Sequence, residues 1–203
     1  MAHESLAQDY RASVGRCIGA DDAEVLCAPE YLAGAAVKAL GWNGTVLPPA
    51  ALLGRRVAVV AELLDEVHER RVASGWGPVT DRVSVSTWHW PEMAHLVPPP
   101  AVRLCGVLAP ARHWRTGLAG TAPFAGLCAT ALLLPAHIAR DLQCRTHAGR
   151  YGPTVVAAAG PDDLDPDAVD VVQPGRLMPA AATRSNPINR WVHEVVYDRL
   201  LRL

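Results

Sequence analysis

The stretch Ala125-Gly-Leu-Cys128-Ala-Thr-Ala-Leu-Leu-Leu134 places one cysteine between small residues and an aliphatic run. The apolar positions after the cysteine recur at helical spacing and predict a helix, which Pro135 would kink. These positions are Leu132, Leu133, Ile138 and Leu142. Small neighbours such as Gly126 and Ala129 allow the sharp turn of a strand–nucleophile–helix elbow. The free N–H groups at the start of this helix would favour the thiolate of Cys128, which is the nucleophilic form.

This segment resembles the nucleophile region of the DJ-1/PfpI group, within the class I glutamine-amidotransferase-like superfamily. The similarity consists of Cys128, the small and aliphatic residues after it, and Thr146-His147 about one helix later. A final hairpin and closing helix extend the resemblance, which covers residues 125–202. The chain departs from the family pattern at Thr130, where members usually have glycine. It also departs at Leu108-Ala109-Pro110, where many members have a Pro-Gly-Gly oxyanion turn.

The resemblance implies a cysteine-dependent enzyme that acts on a small molecule. Cys128 would attack a carbonyl or amide carbon, and His147 would assist proton transfer. Glu30 follows a strand predicted over residues 24–28, and it matches the position of the family's carboxylate near the thiol. Hydrolase, hydratase and glyoxalase-type reactions all fit the family pattern. No cofactor is expected.

Two other classes of function stay open. The departures at Thr130 and at residues 108–110 favour a ligand-binding or regulatory domain of the same fold that has no turnover. A metal-dependent enzyme is the second alternative, because His89, Glu92 and His95 could offer imidazole and carboxylate ligands to a divalent metal. Their spacing matches no common metal motif, and Pro91 opposes a helix there.

The composition excludes several classes of protein. Hydrophobic residues make up 50% of the 203 residues, which excludes disorder as the main state. The net charge of -1, without a long run of one sign, argues against nucleic acid as a partner. No apolar run is long enough to span a bilayer, and the N-terminus has no secretory pattern. The five cysteines lack metal-type spacing, which indicates reduced thiols in the cytoplasm. A small-molecule substrate or ligand is the expected partner, and a homodimer is left open.

The order of predicted elements indicates one α/β domain over residues 1–203, with residues 1–20 as an N-terminal helical extension. Its sheet is expected to be mostly parallel and flanked by helices, as a flavodoxin-like or DJ-1-like three-layer sandwich. The ligand crevice is expected at the carboxyl ends of the strands. Further strands are predicted from 45, 102, 154 and 168, and helices over 29–40 and 189–201.

Two further segments have clear periodicity. Residues 49–73 are predicted to form the strongest helix, because their apolar positions alternate by four and three. These positions are Leu53, Val57, Val60, Leu64 and Val67. Residues 82–88 alternate between polar and apolar types with period two, which predicts a strand.

Overall fold

A computed structural model describes residues 29–93, 95–158, 169–176 and 186–203. The extension predicted over residues 1–20 and the strand predicted over 24–28 lie outside these residues. The described strands are β1 (Thr45–Leu52), β2 (Arg55–Leu63), β3 (Val102–Pro110), β4 (Ala129–Pro135), β5 (Thr154–Ala158) and β6 (Val169–Gln173). The described helices are α1 (Pro29–Ala39), α2 (Asp65–Ala73), α3 (Arg82–Thr87), α4 (Trp114–Thr121), α5 (Ala136–Ala139), α6 (Leu142–Tyr151) and α7 (Pro187–Leu200), with short 3-10 turns at Pro91–Met93 and Ala122–Phe124.

The six strands lie in one sheet in the order of the chain. The pairs β3–β4 and β4–β5 are parallel, and the other three pairs are antiparallel. The prediction of an α/β domain is therefore confirmed. A mostly parallel, flavodoxin-like sheet is not confirmed, because two antiparallel strands precede the parallel strands and a third follows them.

The helix predicted over residues 49–73 is wrong for its first two thirds, which form the β1–β2 hairpin. Leu53 and Gly54 connect the strands with φ angles of 50° and 72°. Positive φ at both central residues is the requirement of the two-residue turn that matches the twist of a hairpin. The run Val57–Ala61 is fully buried on both faces, as in a central strand rich in β-branched residues. Only α2, at the end of the segment, is helical.

The strand predicted over residues 82–88 is also wrong, because Arg82–Thr87 forms the short helix α3. Asp81 is the N-cap of this helix. Its carboxylate accepts hydrogen bonds from the backbone N–H of Ser84 at 2.7 Å and from the Ser84 hydroxyl at 2.6 Å. The cap stabilises the first turn of a helix directly, so it outweighs a weak alternation of small side chains.

The helix predicted after Cys128 is wrong as well, because Ala129–Pro135 forms the strand β4 in the middle of the parallel part of the sheet. Leu132 and Leu134 pack among the residues of α5 and α6, whereas Leu133 packs with α1 on the other face. Consecutive leucines thus serve two buried faces of a strand and not one stripe of a helix.

Helices lie on both faces of the sheet. On one face, Leu32, Ala33 and Ala36 of α1 pack against residues of β2 to β5. On the other face, Val192 and Val196 of α7 pack against β2 and β3, and α4 to α6 cover β4 and β5. No helix among the described ranges is both long and apolar enough to cross a membrane.

Candidate functional site

A cavity of about 1110 Å³ lies where the three parallel strands begin. Val102 of β3, Ala129 of β4 and Thr154 of β5 form part of its wall, and each stands at or next to the first residue of its strand. The end of α1, the start of α2 and the first turns of α7 contribute the other sides. The cavity therefore lies at the amino ends of the parallel strands, whereas the sequence predicted a crevice at their carboxyl ends.

Most of the cavity wall is apolar. Trp42, Leu64 and Val67 are among the side chains that line it. The indole of Trp42 rests on the sheet at Gly106, where an added Cβ would come within 2.3 Å of the ring. Glycine at this position of β3 is thus what allows the ring to pack against the backbone. The same strand has a bulge at Cys105, because Val60 pairs with Gly106 and Ala61 with Leu104.

The charges in the cavity wall are all positive. They belong to Arg103, Arg176 and Arg190, and no Asp or Glu is among the described residues that line the cavity. The exposed guanidinium of Arg103 forms an ion pair with Glu62 at 3.0 Å. Arg176 donates from Nη2 to the backbone carbonyl of Arg150 at 2.9 Å. Arg190 differs from both, because its side chain is only 9% exposed.

Arg190 belongs to a buried charge cluster with Arg71 and Glu194. Arg71 donates from both Nη atoms to the two carboxylate oxygens of Glu194, at 2.8 Å each. Nη2 of Arg190 lies 2.8 Å from the same carboxylate, one helical turn away on α7. The backbone N–H of Val79 also donates to Glu194, at 3.0 Å. The arginine–glutamate pair is thus bidentate and buried, and bidentate pairs are among the strong hydrogen-bonded contacts of such groups.

Carbonyl oxygens and aromatic rings complete the surroundings of the two arginines. Arg71 donates to the carbonyls of Gly77 and Pro99, and Arg190 donates to the carbonyl of Pro98 at 2.6 Å. The guanidinium groups lie over the rings of Tyr197 and Trp88, at 4.8 and 5.0 Å respectively. Nε of each arginine is buried without a hydrogen-bond partner among the described residues. Burial lowers the pKa of Arg190, and the charge of Glu194 opposes that shift.

His193 also lies at the cavity, one turn from Asn189 on α7. Its Nδ1 lies 2.7 Å from the backbone carbonyl of Asn189, so that Nδ1 carries the proton. Burial lowers the pKa of His193 below its ordinary value of 6.5. The imidazole is therefore mostly neutral at pH 7, and the arginines supply the positive charge of the wall.

Cys128 lines this cavity, but its surroundings do not activate the thiol. The residue directly precedes strand β4, so the helix that was expected to begin at Ala129 is absent. The side chain is 6% exposed, and burial raises the pKa of Cys128 to about 12, with a smaller contribution from Cys105. Both effects favour the protonated thiol over the nucleophilic thiolate.

His147 lies in α6, at a different cavity of about 570 Å³. Its imidazole is stacked on Trp114, with the ring centroids 4.6 Å apart, and on Tyr151, at 6.3 Å. Thr130 lines this second cavity, whereas Cys128 lines the first. The described hydrogen bonds include none between Cys128 and His147. Glu30 lies in the first turn of α1, and its side chain lies outside the described part of the structure.

His89, Glu92 and His95 are all exposed on the segment after α3. The described residues contain no group of three or more His, Cys, Asp or Glu side chains that could hold a metal ion. The metal-site hypothesis therefore has no geometric support in this part of the chain.

The sequence analysis missed the charge cluster at the cavity. Arg71 and Glu194 are 123 positions apart, and no local pattern joins them. One signal was present, because Arg190, Glu194 and Tyr197 recur at i, i+4 and i+7 along the predicted closing helix. All three are buried. Charged residues at the positions of a buried stripe require buried partners, and a search for those partners could have found Arg71.

The chain was compared with protein-family models, with curated proteins and with solved structures, and none of the three comparisons gave a match. The resemblance to the DJ-1/PfpI group consequently rests on the sequence pattern of residues 125–202 alone.

Proposed function

We propose that this protein is a non-catalytic binding domain for a small molecule, and that the ligand occupies the cavity at the amino ends of β3, β4 and β5. The observation that carries the proposal is the cavity itself. Its volume of about 1110 Å³ lies just above the range of about 300–1,000 Å³ that most ligand sites occupy, so it can hold a small molecule. Its wall combines apolar side chains with a few polar groups, which is the usual composition of such sites.

Cysteine chemistry is the second candidate, and one observation favours it, because Cys128 lines the same cavity. The raised pKa of the thiol opposes it. A nucleophilic cysteine needs a base, a nearby cation or a helix N-terminus to lower its pKa. His147 would have to supply the base, and it lines the other cavity. A bound ligand next to a protonated thiol is the arrangement that the geometry supports better.

Fluorescence titration with the neutral dye N-phenyl-1-naphthylamine tests the binding proposal. Val67→Trp would place a larger side chain in the cavity wall and should abolish dye binding. Val72→Trp is the matched control, because Val72 lies on the same helix, is 59% exposed and does not line the cavity. Wild type and Val72→Trp should bind alike. Equal binding by all three proteins, or no binding of either this dye or its 8-sulfonate to folded wild type, would refute the proposal.

A further inference from the structure

The buried charge cluster beside the cavity carries more positive than negative charge. Arg71 and Arg190 face one carboxylate, that of Glu194, so the cluster has a net charge of +1. Desolvation makes an uncompensated buried charge costly. Carbonyl dipoles and the rings of Trp88 and Tyr197 reduce this cost but supply no negative charge. The described lining of the cavity contains no acidic residue that could supply it either.

Arg190 is the member of the cluster that reaches the cavity. It lines the cavity, whereas Arg71 and Glu194 do not. Its side chain is nine-tenths buried, and its Nε has no hydrogen-bond partner among the described residues. Arg103 and Arg176 also line the cavity, but both are exposed to solvent, and Arg103 in addition pairs with Glu62. The unmatched charge therefore lies at the Arg190 side of the cavity.

We propose that the ligand of this cavity is an amphipathic monoanion, a carboxylate whose acidic group pairs with Arg190 and whose apolar body lies along Trp42, Leu64 and Val67. The inference rests on the proposed function, since it names the class of ligand for the same cavity. A single negative charge matches the surplus of the cluster. A phosphate dianion would exceed that surplus by one charge. Nε of Arg190 has no hydrogen-bond partner among the described residues and can donate to one oxygen of the carboxylate.

Two dyes that share one ring system test the proposal directly. N-phenyl-1-naphthylamine is neutral, and 1-anilinonaphthalene-8-sulfonate is the same molecule with one acidic group added. Wild type should bind the anionic dye about tenfold or more tightly than the neutral one, because a hydrogen bond to a charged group contributes about that much. Decanoate should displace the anionic dye better than decanol does. Cooperative thermal unfolding of each protein excludes dye binding to a partly unfolded state.

Arg190→Met should lower the affinity for the anionic dye about tenfold or more and leave that for the neutral dye unchanged. Arg190→Lys should recover part of the loss, because it restores the charge without the Nε donor. Arg202→Met is the control, because it removes an exposed arginine from the end of α7 next to the chain terminus. If Arg190→Met does not fold, the wild-type comparison of the two dyes and of decanoate with decanol decides.

The outcomes separate the two proposals. If neither dye binds folded wild type, the proposed function fails. If both dyes bind with equal affinity and decanol competes as well as decanoate, the cavity binds ligands but does not prefer a monoanion, and the proposed class of ligand is refuted. If Arg176→Met weakens binding of the anionic dye and Arg190→Met does not, Arg190 is not the residue that pairs with the acidic group.

Discussion

Glu194→Gln should be among the most destabilising single substitutions in the chain. The carboxylate is fully buried and is the only negative charge in contact with Arg71 and Arg190 among the described residues. Glutamine has nearly the same shape, so the change leaves no cavity. It removes the charge and turns one acceptor into an NH₂ group that faces arginine donors. Two guanidinium groups then remain desolvated without a counter-ion.

The size of the effect follows from the burial of the pair. Removal of one partner of a buried ion pair costs about 3–5 kcal/mol, because the other charge remains buried. For a chain of this length, each 1 kcal/mol lowers the melting temperature by about 2–4 °C. A loss of about 4 kcal/mol should therefore lower it by about 8–16 °C.

Asp198→Asn is the matched control on the same helix. Asp198 pairs with Arg202 at 3.0 Å and i,i+4 spacing, but the arginine side chain is 75% exposed. Such a surface pair contributes about 0.5 kcal/mol or less. Thermal unfolding followed by circular dichroism measures both variants. Equal melting temperatures would refute the argument that the cluster is desolvated. The triple variant Arg71→Met, Glu194→Leu, Arg190→Met should recover stability, because it removes every buried charge.

Three further predictions concern the sheet and the thiol. Since the pKa of Cys128 is about 12 against 9.0 for a free thiol, the unfolded chain loses this proton first as pH rises. The free energy of unfolding, measured by chemical denaturation, should be constant below pH 9 and should fall between pH 9 and pH 12. The fall should be less steep in Cys128→Ala. A thiolate absorbance in the far ultraviolet that titrates near pH 7 would contradict this. Gly106→Ala should lower the free energy of unfolding in urea by about 1–3 kcal/mol, because the added Cβ meets the ring of Trp42. Gly34→Ala, where the added Cβ lies in open space on α1, should not lower it. An equal loss of stability in both variants would count against the packing of Trp42 on Gly106. Val60→Asp should lower the melting temperature strongly because it buries an unpaired charge, whereas exposed Glu62→Ala should lower the free energy of unfolding by under about 1 kcal/mol. Similar melting temperatures would contradict the burial of β2.

In the elements that were predicted correctly, several sequence features favour the same secondary structure. The segment Val102–Pro110 is a short run of apolar residues between loops, and it forms β3. The closing helix has Pro at its first turn, a capping Asn186 and apolar residues at helical spacing. In these segments, the local propensity and the periodicity agree.

The prediction for residues 49–73 failed because spacing by four and three also occurs by chance within a strand that is buried on both faces. In β2 every position from Val57 to Ala61 is apolar, so the helical positions are only a subset of a continuous run. The enrichment in valine and the pair Leu53-Gly54 favour a hairpin, and both were visible in the sequence. The same reasoning applies to the three leucines that follow Ala131 in β4.

The candidate site could be predicted only in part. Cys128 lines a cavity at the end of the sheet opposite to the predicted crevice, and its predicted activation depended on a helix that is a strand. The charge cluster depends on α2 and α7 meeting at one end of the sheet. A contact over 123 positions has no local signature in a single sequence.

The order of the strands explains why the cavity lies at the amino ends. Ligand crevices form at the carboxyl ends of parallel strands where two successive crossovers leave in opposite directions. Here β3, β4 and β5 follow each other in one direction, and the helices of both crossovers, α4 to α6, pack on the same face. The described parallel strands therefore have no switch point at which such a crevice would form. Backbone N–H groups of crossover helices, which often bind anions at the carboxyl edge, are likewise absent from the opposite edge. Among the arginines that line the cavity, Arg190 of α7 is the buried one, and it supplies positive charge there.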